Sequence, residues 1–269
     1  MNSYPKPWRQ NVRGFTLVEA IMVIVLTGIL AGMATVFIRA PITAYQDATR
    51  RAELTDIADT ALRRIARDVR GALPNSVRVS GTCTGPTICF LEYVPIKSAG
   101  RYRESGPGNP LDFNAAADTF DVIGPGVDIA ANDFIVIYNL ALIGSDVYVG
   151  TSRRDVTTTG TGLVTAGYSG GAFPFASPAR RFQVVGKPAT YACNPPLGQL
   201  QRYSNYAYVD PQPQPPAGTP ALLATNVSTC RFAYQALSAL NALITLELGV
   251  SKGSETVSLV YQIHVNNVP

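Results

Sequence analysis

Four cysteines are the residues of this sequence whose chemistry their spacing constrains most clearly. Cys83, Cys89, Cys193 and Cys230 include no CxxC pair, and with a single histidine in the chain the spacing of a zinc site is absent. Two disulfides in an oxidising compartment explain them better than buried free thiols in a cytosolic protein. Three connectivities are open, and a Gly-Pro turn between Cys83 and Cys89 favours that pair, leaving Cys193 with Cys230.

Residues for other chemistry are scarce. His264 is the only histidine, and neither a nucleophile elbow nor a phosphate-binding glycine loop is evident. Asp112, Asn114, Asp118 and Asp121 place oxygen atoms near one another, but their spacing differs from that of an EF-hand, and solvated loop side chains are favoured over a calcium site. We therefore expect no enzyme, catalytic residue, metal, cofactor or small-molecule substrate.

One carboxylate lies in an unusual place. Residues 15–38 form a run of 24 residues in which Glu19 is the only charged side chain. As a helix this run is about 36 Å long, enough to cross a hydrocarbon core of about 30 Å. A carboxylate there costs a few kcal/mol, so a partner is expected for it, the alternative being a position at the headgroup level.

The charges around this run predict its orientation. Lys6, Arg9 and Arg13 precede it and Arg39 follows it, so the positive-inside rule places the N-terminus in the cytoplasm and the later residues in the periplasm. The run is too long for a secretory signal, and no good A-x-A-like cleavage site follows it. Without the first three basic residues the net charge falls from +4 to about +1. This near-neutral balance argues against a nucleic-acid partner.

The start of the run resembles a known processing signal. The segment that carries the resemblance is Arg13-Gly14-Phe15-Thr16-Leu17-Val18-Glu19. It is similar to the prepilin-peptidase motif of type IV pilins and type II secretion pseudopilins. The resemblance implies a leader over residues 1–14, cleavage between Gly14 and Phe15, and N-methylation of Phe15. It also implies that Glu19 attracts the N-terminal amine of a neighbouring subunit.

Beyond residue 38 the helical pattern becomes amphipathic. Apolar residues recur every three or four positions. They are Leu54, Ile57, Ala58, Ala61, Leu62, Ile65, Ala66 and Val69. Pro41 is expected to bend the helix or interrupt its hydrogen bonding, and Asp59 with Arg63 has the favourable i, i+4 order. Gly71 and Pro74 supply a stop, which predicts one helix over residues 15–71, with 15–38 transmembrane and 39–71 amphipathic.

Residues 72–269 read as a β-rich domain, because glycine, proline and short apolar runs alternate there. Alternating apolar residues at 242–250 and 257–265 predict a hairpin with one buried face, and place His264 on its polar face. Further strands are expected at 134–140, 147–149, 182–185 and 221–225. Residues 101–109 and 211–220 read as exposed loops.

A second resemblance involves the C-terminal quarter and the amphipathic part of the helix. Cys230-Arg231-Phe232, the paired strands after it and the closing residues 264–269 resemble the MshO group of MSHA-type minor pilins. That group is distantly related to the J-type minor pseudopilins of type II secretion. Residues 98–220 match no part of it. The resemblance implies a pilin-like α+β fold.

The two resemblances together imply a minor pilin that enters or primes a pilus. Its expected partners are the prepilin peptidase, the inner membrane, an assembly platform protein and other major and minor pilin subunits. Its C-terminal domain is expected in the periplasm and, after assembly, on the cell surface. The alternatives are a J-type minor pseudopilin and a membrane-tethered periplasmic binding module that does not polymerise.

Overall fold

The computed structural model describes residues 14–83, 87–238 and 240–269, and their architecture is the expected α+β type. A long helix, α1 (Leu17–Arg70), is followed by strands and loops. The strands are β1 Arg78–Gly81, β2 Cys89–Tyr93, β3 Ile96–Tyr102, β4 Asp118–Ile123, β5 Val127–Ile129, β6 Phe134–Val136, β7 Arg153–Val156, β8 Gly160–Leu163, β9 Thr165–Ser169, β10 Arg181–Val185, β11 Ala189–Asn194, β12 Gln199–Ser204, β13 Ala221–Thr225, β14 Val227–Ala236, β15 Asn241–Lys252 and β16 Glu255–Asn266. A short 3-10 helix, Pro195–Leu197, joins β11 to β12.

The bounds of α1 follow local chemistry. At its end the Gly71 N–H donates to the Arg67 carbonyl at 3.2 Å, and Pro74 follows shortly after. The helix continues through Pro41 without a break, although proline has no N–H to donate to the preceding turn. Of the leader predicted over residues 1–14, only Gly14 lies among the described residues.

The chain divides into two compact units, residues 1–50 and 51–269. In the first, every described residue from 14 to 46 is exposed, including the large apolar side chains of α1. Among the described residues, α1 is the one helix that is long and apolar enough to cross a membrane.

In the second unit the predicted apolar stripe of α1 lies in the core. Leu54, Leu62 and Ile65 are fully buried, and of the eight predicted stripe residues only Ile57 is half-buried. The stripe packs against two antiparallel sheets, one in the order β1-β2-β11-β12-β13 and one in the order β14-β15-β16. Burying such a stripe is the main stabilisation available to an amphipathic helix.

Strands β3, β4, β6, β7, β9 and β10 close into a separate barrel. Its core is rich in aromatic residues, with the Phe120 ring packed edge-on against Phe182 at 5.1 Å between centroids. The chain enters the barrel after β2 and leaves it before β11, two strands that pair with each other. The barrel is therefore an insertion within the five-stranded sheet, and it lies in the part of the chain that the second resemblance did not cover.

The C-terminal hairpin is confirmed as β15 and β16, which pair from Asn241 opposite Asn266 to Lys252 opposite Glu255. The expected strand at 134–140 is shorter and ends at Val136. The strand expected at 147–149 is wrong. Residues 147–150 turn instead, because the Asp146 side chain accepts from the Tyr148 N–H at 2.6 Å and its carbonyl accepts from the Gly150 N–H at 3.1 Å.

Candidate functional site

The N-terminus of α1 is closed by a side chain from the predicted processing segment. Thr16 precedes the first helical residue, and its Oγ1 accepts from the Glu19 N–H at 3.2 Å. The Thr16 carbonyl accepts the first helical bond, from the Ala20 N–H at 3.1 Å. Threonine followed three residues later by glutamate is the capping-box pattern. The local sequence therefore starts the helix just after Gly14 and Phe15.

Gly14 is under no steric constraint among the described residues. A Cβ built on it meets no atom within 4 Å. Nothing in the described fold therefore demands glycine at this position.

Glu19 differs from the threonines in the apolar half of α1, whose side chains hydrogen-bond to the helix backbone. Thr27 and Thr35 donate their hydroxyls to the carbonyls of Val23 and Ala31, four residues earlier, at 2.6 and 2.8 Å. Hydroxyls satisfied in this way are tolerated in lipid. The Glu19 carboxylate is exposed, and within the described ranges it has no hydrogen-bond or ionic partner. It is thus available to a group outside them.

The amphipathic part of α1 is fastened to the C-terminal hairpin by charged pairs. Arg51 binds Glu255, with Nη2 to Oε2 at 3.0 Å, and Glu53 binds Lys252 at 3.0 Å. Lys252 and Glu255 face each other across the hairpin turn. These pairs are largely exposed and individually weak, but they fix which residues of the helix meet the turn.

Further along α1, Asp59 and Asp68 accept hydrogen bonds from sheet tyrosines. The Tyr261 hydroxyl donates to Asp59 at 2.6 Å, and this bond together with the Arg63 guanidinium lowers the pKa of that carboxyl. The hydroxyls of Tyr93 and Tyr191 both donate to the Oδ2 of Asp68, at 2.8 and 2.6 Å. Burial raises the pKa of Tyr93 to about 12, so this hydroxyl remains a donor at any physiological pH.

The Asp68 contacts were missed by the sequence reasoning. The sequence did contain a sign that Asp68 has a partner. Its carboxylate lies within the arginine-rich last turns of the helix, where the helix dipole disfavours a negative charge.

A second missed group is Glu92 on β2, which is fully buried. It accepts from the Tyr206 hydroxyl at 2.6 Å and pairs with the Arg78 guanidinium. Removal from water raises the pKa of Glu92 above its usual value, even though Tyr206 and Arg78 favour its charged form. This network ties β1 and β2 to the loop after β12 and has a structural role.

The cysteines are paired as the turn between Cys83 and Cys89 favoured. Cys83 bonds Cys89, joining the start of the β1–β2 connection to the first residue of β2, although residues 84–86 lie outside the described residues. Cys193 on β11 bonds Cys230 on β14, with their Cα atoms 6.4 Å apart. The second bond links the two sheets that cover α1.

The four oxygen-bearing residues weighed as a calcium site do not converge. Asp121 binds the Arg103 Nε at 3.0 Å and the Asn109 N–H at 2.9 Å, and these two contacts lower its pKa. Asp112 accepts from the Asn114 N–H at 2.8 Å. Within the described part of the chain no cluster of three or more His, Cys, Asp or Glu side chains is placed to hold a metal ion. His264 is exposed on the outer face of β16.

Residues 9–35 match the family described as the prokaryotic N-terminal methylation motif. The match covers the Gly14–Phe15 junction, Glu19 and the apolar start of α1. No curated protein and no solved structure matches the chain. The motif implies processing by a prepilin peptidase and a pilin assembly context, and the apolar helix fits the single-pass inner-membrane anchor typical of pilins. Motif, helix and β-rich domain together support a type IV pilin-like or pseudopilin subunit.

Proposed function

We propose that this chain is a minor type IV pilin of the MshO-like kind, which enters or primes an MSHA-type pilus. The observation that carries the proposal is the capped helix start, where a sterically unconstrained Gly14 precedes Phe15 and Glu19 has no partner within the described ranges. Each feature is unexplained by the described fold. Each is accounted for by proteolytic processing and subunit assembly.

Cleavage is proposed between Gly14 and Phe15. A protease that needs a small residue before the cut explains a glycine that the fold does not require. Cutting there creates an ammonium group on Phe15, and N-methylation keeps its charge. A cation at the positive end of the helix dipole is unfavourable, so it benefits from a nearby carboxylate.

Glu19 is the proposed partner of that cation in a neighbouring subunit. When packed apolar helices exclude water, an ion pair is much stronger than in solution, and an unpaired carboxylate is correspondingly costly. Subunits in the correct register gain this pair, and subunits in other registers bury an unpaired charge. The pair therefore selects the axial position of each added subunit.

The C-terminal segment supports the MshO-like assignment over a generic pilin. The residues that carry this resemblance form β14 to β16, where Cys230 and Phe232 are buried against the apolar stripe of α1. We place the second unit in the periplasm and then on the surface, with inner-membrane, platform-protein and pilin-subunit partners. The motif supports a J-type pseudopilin of type II secretion equally, so that machine is the second candidate.

Processing is tested by mass spectrometry of the protein purified from its native membrane. We expect an N-methylated Phe15 terminus in the native chain and an intact leader in Gly14→Ala. The matched control is Gly32→Ala, another glycine whose Cβ would meet no atom within 4 Å, and it should be processed normally. A Phe15 terminus in Gly14→Ala would remove the basis of the proposal.

Assembly is tested with Glu19→Gln, which keeps size and removes charge. We expect a processed, membrane-held subunit that is depleted by about tenfold or more from sheared filaments, the equivalent of about 1.4 kcal/mol. Glu53→Gln is the control, because it alters an exposed carboxylate of the same helix. Equal recovery of Glu19→Gln and native chain would contradict the pairing. Absence from filaments together with a secretion defect on deletion would select the pseudopilin.

A further inference from the structure

The outer face of the barrel carries two arginines that face each other without a counter-ion. Arg101 on β3 and Arg181 on β10 are directly opposite in the strand register, and both are exposed. Among the described residues, no carboxylate oxygen lies within 4 Å of either guanidinium, and neither makes a side-chain hydrogen bond. Like charges directly opposite on a sheet are destabilising.

Two neighbouring arginines show that carboxylates are available nearby. Arg103 binds Asp121 at 3.0 Å, and Arg180 binds Glu104 at 2.7 Å. Each is one or two positions from an unpaired arginine. Arg101 and Arg181 therefore have no carboxylate partner within the described residues, although the arginines next to them do.

The two arginines border a groove of about 520 Å³. Its lining is mostly apolar and includes Ala99, Gly100, Ile123 and Pro125. Ile123 lies opposite Arg101 on the next strand, and its side chain is 45% exposed, which is high for an apolar residue on a sheet. An apolar surface with cationic edges is complementary to an apolar group that carries an acid.

Close packing inside the barrel restricts which residue can line the groove at position 100. A Cβ on Gly100 would lie 2.8 Å from the buried ring of Phe182, so only glycine fits at this position. The neighbouring Ala99 is also small. At this point the groove is therefore lined by the Gly100 backbone and the small Ala99 side chain.

We infer that this groove binds an acidic peptide segment of a protein partner, with a Glu or Asp carboxylate between Arg101 and Arg181 and an adjacent apolar side chain over Ile123. At the groove Arg101 pairs with Arg181 on one side and with Ile123 on the other, so the peptide is recognised there by side chains rather than by strand addition. Paired guanidinia bind carboxylates through charge-assisted hydrogen bonds. Phe182, the aromatic residue of the lining, is fully buried, which disfavours a stacked sugar ring.

The test is selection of random seven-residue displayed peptides against the detergent-solubilised full chain, followed by affinity measurement of the selected peptides. We expect peptides enriched in an acidic residue next to Leu, Ile or Phe. Arg101→Gln/Arg181→Gln should weaken their binding by at least about tenfold, and binding should fall as ionic strength rises from about 0.05 to about 0.3 M. Arg180→Gln, which alters an arginine with an internal partner, should bind nearly as well as the native chain.

A second variant tests the groove itself. Ala99→Phe keeps both arginines and fills the depression, so it should also abolish binding. The double arginine variant should unfold at the same temperature as the native chain or higher, because a repulsion has been removed. Selected peptides without acidic residues, no selected peptides, or binding unchanged in both variants would overturn the inference. The inference would also be overturned if dextran sulfate bound the native chain as tightly as the selected peptides and did not bind the double arginine variant. That result would indicate a surface for polyanions in general.

Discussion

Replacing Cys193 and Cys230 together by alanine should destabilise the second unit more than replacing Cys83 and Cys89. The first pair joins β11 to β14, and therefore one sheet to the other, and its two cysteines are 37 positions apart. The second pair spans only 6 positions beside β2. The two bonds thus constrain the unfolded chain to different extents.

The expected costs follow from loop closure. In the chain-entropy account, a bond closing a loop of this longer length stabilises by roughly 4 kcal/mol at 25 °C, and one closing the shorter loop by roughly 2 kcal/mol. Cys193, Cys230 and Cys89 are almost fully buried, so alanine adds a small packing loss in both variants. The difference between the double variants should therefore be roughly 1.5 to 2 kcal/mol.

The assay is urea unfolding of the processed full chain in detergent, followed by tyrosine fluorescence. The proposed cleavage after Gly14 would remove the chain's only tryptophan, Trp8, and leave tyrosine as the reporter. Peptide mapping without reductant identifies the bonds in the native chain. Equal destabilisation of the two variants, or a larger loss for Cys83 and Cys89, would refute the loop-closure argument. A different mapped pairing would refute the connectivity.

Three further predictions concern the core and its buried polar groups. Because burial raises the Glu92 pKa, its contribution to stability is full below about pH 4 and is lost as pH rises through the folded-state pKa. The stability of Glu92→Gln relative to the native chain should therefore increase between about pH 4 and pH 7 in urea titrations. Tyr191→Phe should cost about 1–3 kcal/mol by removing a donor from Asp68. Ile65→Ala should cost about 2–5 kcal/mol by calorimetry, against about 0.5 or less for the exposed Arg64→Ala.

The parts of the fold that could be predicted from sequence depend on short-range periodicity. Leu54, Ala58 and Ile65 recur at helical spacing, and that spacing alone determines that they share a face. The alternation in β15 and β16 works in the same way, because a two-residue period fixes which side chains face the core. The capping of α1 by Thr16 was missed, and the predicted helix began at residue 15 instead of Leu17, although the Thr-x-x-Glu pattern is local.

The parts that could not be predicted depend on pairings distant in sequence. β3 pairs with β10, and the segments between them include strands of only three to six residues. Such short strands carry little periodicity, and no local rule specifies which of them closes the barrel. The Asp68 contacts could not be predicted for the same reason, since the tyrosines that donate to Asp68 lie far away in sequence, on β2 and β11. Arg101 and Arg181 become neighbours only through this pairing.

The position of the barrel in the chain has an evolutionary consequence. Tyr93 and Ala189, the last residue of β2 and the first of β11, are direct partners across the ladder, so the whole excursion begins and ends on one rung. An excursion with adjacent ends can lengthen, shorten or exchange its fold without shifting the register of the strands that cover α1. This excursion contacts the rest of the second unit through a small apolar seam that includes Leu73, Val94 and Val185, and through hydrogen bonds such as the one from the Tyr148 hydroxyl to the Ser76 carbonyl. The barrel therefore has the anatomy of an interchangeable module, set into the chain at one pair of adjacent residues.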